Sequence, residues 1–165
     1  MKNSERLQKE LEQVQQDIEA MMNRRNSGVN DETTSFQAYC RLDDRRTTLR
    51  DQIMTEKNRE LEVGDGCTVR FYTDRHACTV IKKTKTTITV QRDKATLDPN
   101  WKPEWVEGGF SAICTNQEDQ TYTYERNPKG ETYTLRWNEK AGRYINHTQG
   151  IRVYPGRHEF YDYNF

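Results

Sequence analysis

Val63-Gly64-Asp65-Gly66-Cys67-Thr68-Val69-Arg70-Phe71-Tyr72 is the stretch at which the chain changes character. Before it Glu, Arg and Gln are the commonest residues. After it Thr, Val, Tyr and Ile take over, the residues that suit a pleated, half-buried surface. Residues 63–66 read as a turn and 67–72 as the strand that it opens. Thr73-Asp74-Arg75-His76 then reads as a bend before a strand over residues 77–82. Lys83-Thr84-Lys85-Thr86 turns the chain into a third strand over 87–92, where apolar and polar residues alternate. These three segments predict an antiparallel meander, the opening half of a small barrel or sheet.

Downstream, residues 96–116 form a long excursion holding Pro99, Trp101, Pro103, Trp105, Gly108 and Gly109. Its two tryptophans predict a loop that packs rather than one that drifts. Residues 121–126 and 131–137 alternate on either side of Asn127-Pro128-Lys129-Gly130, which predicts a hairpin around a type I turn. Shorter strands fit 143–146 and 151–154. The aromatic-rich end, Arg157 to Phe165, is expected to be tied down as a strand.

Upstream, Leu7, Leu11, Val14, Ile18 and Met21 recur at alternating spacings of four and three. That is a narrow heptad stripe of the coiled-coil kind, with Ser4 as its expected N-cap. It stops at Asn23 to Gly28, whose Asn and Gly supply turn chemistry. A second helix is expected to start near Asp31 and to place Phe36, Tyr39, Leu42, Leu49 and Ile53 inward. The fold class is therefore α+β: an N-terminal antiparallel helical hairpin over residues 1–61, then an antiparallel β-rich small barrel or sheet over 62–165. One thin stripe on two helices leaves apolar surface over, so the hairpin is expected to join copies into a homo-oligomer, to bind a partner, or to dock on its own β domain.

The bulk numbers exclude several classes. Of 165 residues 32% are hydrophobic and 32% charged, so only a modest core can form. Lys plus Arg equals Asp plus Glu at 26 each, and no global field draws the chain to nucleic acid or acidic lipid. Nucleic-acid binding therefore stays a lesser expectation. No run approaches the roughly 20 apolar residues of a membrane span. The first residues carry no apolar segment, so no signal peptide is expected and the cytoplasm is the expected setting. Cys40, Cys67, Cys78 and Cys114 lie far apart and read as reduced thiols.

Catalytic motifs are missing. There is no Gly-x-Ser-x-Gly, no Cys-x-x-Cys and no phosphate loop leading into a helix, so no catalytic residue, metal or cofactor is expected. Asp74, His76, Asp93, Lys94, Glu125 and Glu159 are residue types that a metal-dependent nuclease or phosphodiesterase uses, which keeps that alternative open. Four segments pair charge with a His or aromatic neighbour: Asp74-Arg75-His76, Arg92-Asp93-Lys94, Tyr122 to Arg126 and Arg157-His158-Glu159. Guanidinium groups bind phosphate bidentately and aromatics stack on bases. If the segments converge, Arg75, His76, Arg92, Lys94, Tyr124, Arg126, Arg157 and His158 would line a site for a small anionic ligand such as a cyclic or linear nucleotide. If they do not, they are ion pairs on a solvated surface, worth little each.

The meander resembles the first half of a Tudor-like barrel, a fold that hosts many functions. A more specific likeness rests on Gly64-Asp65-Gly66, on residues 73–81 and 87–95, on 122–130 and on the terminal 155–165. Together these blocks resemble a family of small bacteriophage and prophage proteins with no established activity. The resemblance implies an infected host cell as the setting. It also implies a host-defence antagonist, either one that sequesters a nucleotide signal or one that blocks a defence protein as an inhibitor or accessory module.

Overall fold

The computed structural model describes residues 2–109 and 111–164; Met1, Phe110 and Phe165, the last residue of the aromatic terminus, lie outside the described residues. The chain divides into two units, Met1–Arg59 and Glu60–Phe165. The fold is α+β, with two N-terminal helices followed by an antiparallel domain built on a closed barrel. No helix among the described residues is long and apolar enough to cross a membrane.

The first unit pairs α1 (Asn3–Asn26) with α2 (Phe36–Arg59). The helices run antiparallel, since Asn3 reaches Glu56 at 3.3 Å and Arg45 pairs with Glu10. Leu7, Leu11, Val14 and Ile18 are buried with Leu49 and Ile53, and Tyr39 and Leu42 pack at the margin. The heptad stripe is thus covered by α2 of the same chain, because a two-helix seam of this width closes on itself. Phe36, expected inward, is 70% exposed at the start of α2.

Both expected caps shift. Lys2 precedes the helix, Glu5 Oε2 accepts its backbone N–H at 3.1 Å, and Ser4 sits buried in the first turn. Asp31 caps a 3-10 turn (Glu32–Thr34), and α2 begins only after Ser35, whose Oγ accepts the Ala38 N–H at 3.2 Å. Gly28, at φ +89°, ends α1 with a bond from Val29 N–H back to the Arg24 carbonyl at 3.1 Å, which satisfies a carbonyl that the helix leaves open.

The second unit contains β1 (Gly66–Arg70), β2 (Arg75–Lys83), β3 (Thr87–Arg92), β4 (Lys94–Leu97), β5 (Trp105–Gly108), β6 (Ser111–Cys114), β7 (Tyr122–Glu125), β8 (Thr132–Asn138), β9 (Arg143–Asn146) and β10 (Ile151–Pro155). The barrel closes in the order β1-β10-β9-β8-β3-β2, while β4 pairs with β7 and β5 with β6 as separate ribbons. Alternation sends Cys67, Val69, Cys78, Val80, Ile88 and Val90 inward, joined by Leu135, Ile151, Val153 and by Leu61 from the segment before β1. At about 25 cal/mol per Å² this contiguous apolar filling is the main favourable term of the unit.

Three expectations are corrected. Residues 121–126 and 131–137 do not form a hairpin: β7 pairs with β4, and β8 with β3 and β9. The turn between them does form, with Gly130 N–H bonded to the Asn127 carbonyl at 2.8 Å. It lies against the end of β3, where the Gln91 side chain donates to the Pro128 and Gly130 carbonyls and Arg92 N–H donates to Glu131. Docking β8 on β3 completes the barrel, a larger gain than a free two-stranded hairpin offers. The excursion at 96–116 contains the end of β4 and the β5–β6 ribbon, with Trp101 5.5 Å and Trp105 6.0 Å from the ring of Tyr163. The terminal segment is anchored mostly by side chains rather than as a strand; its one strand-like contact among the described residues is a bridge between Phe160 and Arg75.

Candidate functional site

The terminal segment organises the site. Residues 157–160 run beside β2 where β3 has ended. Arg75 N–H donates to the Phe160 carbonyl at 3.1 Å and Phe160 N–H returns the bond at 3.0 Å. Glu159 Oε2 accepts the Ala77 N–H at 2.7 Å, and Glu159 N–H donates to the Tyr124 hydroxyl at 3.1 Å. Farther along, Asp74 accepts Asp162 N–H at 3.0 Å, and Gln120 and Gln117 accept the N–H groups of Tyr161 and Tyr163. The segments around Arg75, Arg92, Tyr124 and Arg157 therefore meet at one place.

What they make is in part an ion-pair network. Arg157 Nε donates to Asp93 Oδ2 at 2.7 Å and its Nη2 to Thr79 Oγ1 at 2.8 Å, and the Asp93 side chain is only 2% exposed. Thr79 Oγ1 in turn donates to Asp93 at 2.7 Å. Gly66 makes room for this, since a Cβ there would meet Arg157 Nη1 at 2.6 Å. Arg92 Nη2 pairs with Glu159 Oε1 at 2.9 Å. Arg92 and Arg157 are thus neutralised by carboxylates, and Asp93 and Glu159 are engaged as acceptors.

The other named residues divide. His76 follows Arg75 on β2 and takes the opposite face, its ring 4.6 Å from Phe71 and its Nδ1 buried without a partner among the described residues. Burial, with Arg92 adding to it, holds the His76 pKa below the ordinary 6.5. Lys94 pairs with Glu125 at 3.4 Å in solvent. Arg126 is exposed and pairs with no described residue. Neither Lys94 nor Arg126 joins the cluster. Among the described residues no group of three His, Cys, Asp or Glu side chains is placed to hold a metal ion.

Arg75 and His158 do share a cleft. It measures about 340 Å³ and is lined by Thr68, Arg70, Arg75, Tyr154, Pro155 and His158. Arg75 Nη1 lies 2.7 Å from His158 Nε2, and its guanidinium sits 4.8 Å over the Phe160 ring. A guanidinium has no acceptor, so Nε2 accepts and the imidazole proton is on Nδ1. Burial and the charge of Arg75 push the His158 pKa below 6.5, consistent with a neutral ring at neutral pH. Tyr154 is held by Arg143, whose Nη1 donates to its hydroxyl at 2.6 Å and whose guanidinium lies 5.0 Å over its ring.

Register adds two arginines that sequence reasoning missed. On the outer barrel face Arg70 stands opposite Arg75 of β2 on one side and Arg152 of β10 on the other. Neither Arg70 nor Arg152 pairs with a carboxylate among the described residues. Across all six barrel strands there are eight Lys and Arg and not one Asp or Glu, although the whole chain is neutral. Like charges placed directly opposite each other in a sheet are destabilising, so this row opposes stability unless an anion sits on it. The strand-by-strand segregation of charge was readable in the sequence; the row was not, because it depends on register.

No protein-family model, curated protein or solved structure matches this chain.

Proposed function

We propose that this protein binds a small phosphorylated ligand of the nucleotide type on the arginine face of its barrel, and acts by sequestering it unchanged. The observation that carries the reading is the row Arg75–Arg70–Arg152, three guanidinium-bearing residues opposite one another on adjacent strands with no carboxylate on any barrel strand. Proteins break a local stability rule chiefly where function requires it. Arg70 and Arg75 would grip phosphate across the cleft, His158 would orient Arg75, and Tyr154 would offer an aromatic wall. Of the acids a hydrolytic site would draw on, Asp93 and Glu159 are engaged by arginines and by Thr79 and the Ala77 N–H, Asp74 accepts the Asp162 N–H and Glu125 pairs with Lys94, which favours binding over cleavage. In an infected host cell, sequestration of a nucleotide immune signal would follow from such a site.

Calorimetry with nucleoside monophosphates, cyclic dinucleotides and cyclic ADP-ribose isomers tests this. Binding should be seen with at least one of them, the ligand should be recovered intact, and Arg75→Ala should weaken it by about tenfold or more, the loss expected for a charge-assisted contact. No heat with any of them, or a ligand returned cleaved, overturns the reading.

A partner-blocking reading is favoured by one specific observation. Val106 and Ile113 stand opposite each other on the β5–β6 ribbon, and both are exposed, as are Trp105 and Tyr161 nearby. If this ribbon is the working surface, Val106→Asp should abolish partner capture and leave nucleotide binding intact. Homo-oligomer formation through the hairpin is a separate proposal, and with the stripe covered it would use Phe36 and Met22. Phe36→Asp should then lower the mass seen by light scattering.

A further inference from the structure

The row of arginines is longer than the cleft. The cleft is lined by Arg70 and Arg75, whereas Arg152 stands on the far side of Arg70 and does not line it. How far apart the ends lie follows from the backbone bonding. Arg75 gives both of its backbone hydrogen bonds to Phe160, so its pairing with Arg70 is the narrow, non-bonded kind, with Cα atoms about 4.5 Å apart. Arg70 then turns its own backbone groups to β10, and its pairing with Arg152 is the wide kind, about 5.5 Å. Arg75 and Arg152 are thus roughly 10 Å apart at the backbone.

Long side chains could close such a gap, but Arg75 is not free to do so. Its guanidinium is tied to His158 at 2.7 Å and rests over Phe160 at 4.8 Å. Phe160 bridges to β2 on the edge away from β1. Arg75 is therefore fixed in the cleft, whose lining includes Arg70 but not Arg152, so a phosphate bound there leaves Arg152 to a second one.

We infer that the site takes two separate phosphates, and that its ligand is a dinucleotide joined through phosphodiester linkage rather than a mononucleotide. One phosphate sits in the cleft between Arg75 and Arg70, and the second sits over Arg70 and Arg152. This rests on the binding reading given above and adds the class of ligand to it. Arg152 is the residue that reads the second phosphate. It is exposed and outward, so its replacement leaves the barrel core untouched.

The test is calorimetry on the full chain with a nucleoside 5′-monophosphate, a 5′-phosphorylated linear dinucleotide, a cyclic dinucleotide and a longer single-stranded oligonucleotide. At least one dinucleotide should bind about tenfold or more tightly than the monophosphate. Arg152→Ala should erase that advantage, bringing dinucleotide affinity down to that of the monophosphate, whereas Arg75→Ala should weaken every ligand. Equal affinity for mono- and dinucleotides overturns the two-phosphate inference and leaves the binding reading standing. Affinity that keeps climbing with oligonucleotide length, with a steep salt dependence, overturns it in favour of a strand-binding face. Absence of binding by all four overturns both.

Discussion

Asp93 and Arg157 show what one residue pair contributes. The carboxylate is almost fully withdrawn from water and its acceptors are met by Arg157 and Thr79. Removing one member of a buried pair leaves the other uncompensated, at about 3 kcal/mol. Arg157→Ala, which leaves the buried Asp93 carboxylate without its ion pair, should therefore lower the unfolding free energy measured in urea by about that amount, and a variant of wild-type stability would contradict the network. The two histidines act at the same scale through pH. Burial lowers the pKa of both His76 and His158 below 6.5, with Arg92 and Arg75 adding to it. Below pH 6.5 the unfolded chain takes up protons at these sites before the folded one does, so stability falls as pH drops from there. The melting temperature should be lower at about pH 5.5 than at about pH 7.5, and His158→Gln should reduce the difference. An identical slope in that variant would remove His158 from the account. Burial also raises both interior thiols, Cys78 to about 12 and Cys67 in the same direction, which makes them core fillers rather than nucleophiles.

Among the elements, β8 carries the largest departure from local expectation. Its sequence alternates well with that of β7 across a proper turn, yet the two strands enter different sheets. Gly130 is the hinge of that choice. A Cβ there would lie 2.0 Å from the Arg92 carbonyl oxygen, a backbone atom that cannot step aside. Gly130→Ala should push the turn off the end of β3 and cost roughly 1–3 kcal/mol, the usual penalty of overpacking, read as a drop in thermal midpoint. A silent substitution would mean that the turn does not dock there. The helical elements behave as the pattern dictates: a stripe with spacings of four and three buries along one seam and leaves charged faces outward.

Across the whole molecule, the β unit is closed by a segment that belongs to no strand. Residues 156–164 supply Arg157 and Glu159, pair Phe160 with Arg75, and receive hydrogen bonds from or give them to Thr68, Gln117, Gln120 and Cys114 through Gly156, Tyr161, Tyr163 and Asn164. A chain ending at Pro155 takes Arg157 from Asp93 and Thr79 and Glu159 from Arg92, and it frees Arg75 from His158. Such a truncation should unfold well below the full chain in a thermal scan and should lose ligand binding. A barrel that melts unchanged without the segment would show that it is an accessory. Within the β unit charge is likewise divided, with cations on the staves of the barrel and acids in turns, ribbons and the terminus.

How much of this the sequence could tell follows from the range of each interaction. Helix period, strand alternation, turn chemistry and the switch of composition at Val63 are local, and by themselves they determined two helices followed by a β domain. They also marked Arg75 and His158. Local alternation settles only which side of its own strand a residue takes. Which strand lies beside it, and in what register, is decided by contacts between residues far apart in sequence. For that reason the separation of β7 from β8, the neutralising of Arg92 and Arg157 by Glu159 and Asp93, and the alignment of Arg70 with Arg75 and Arg152 came from the tertiary structure alone.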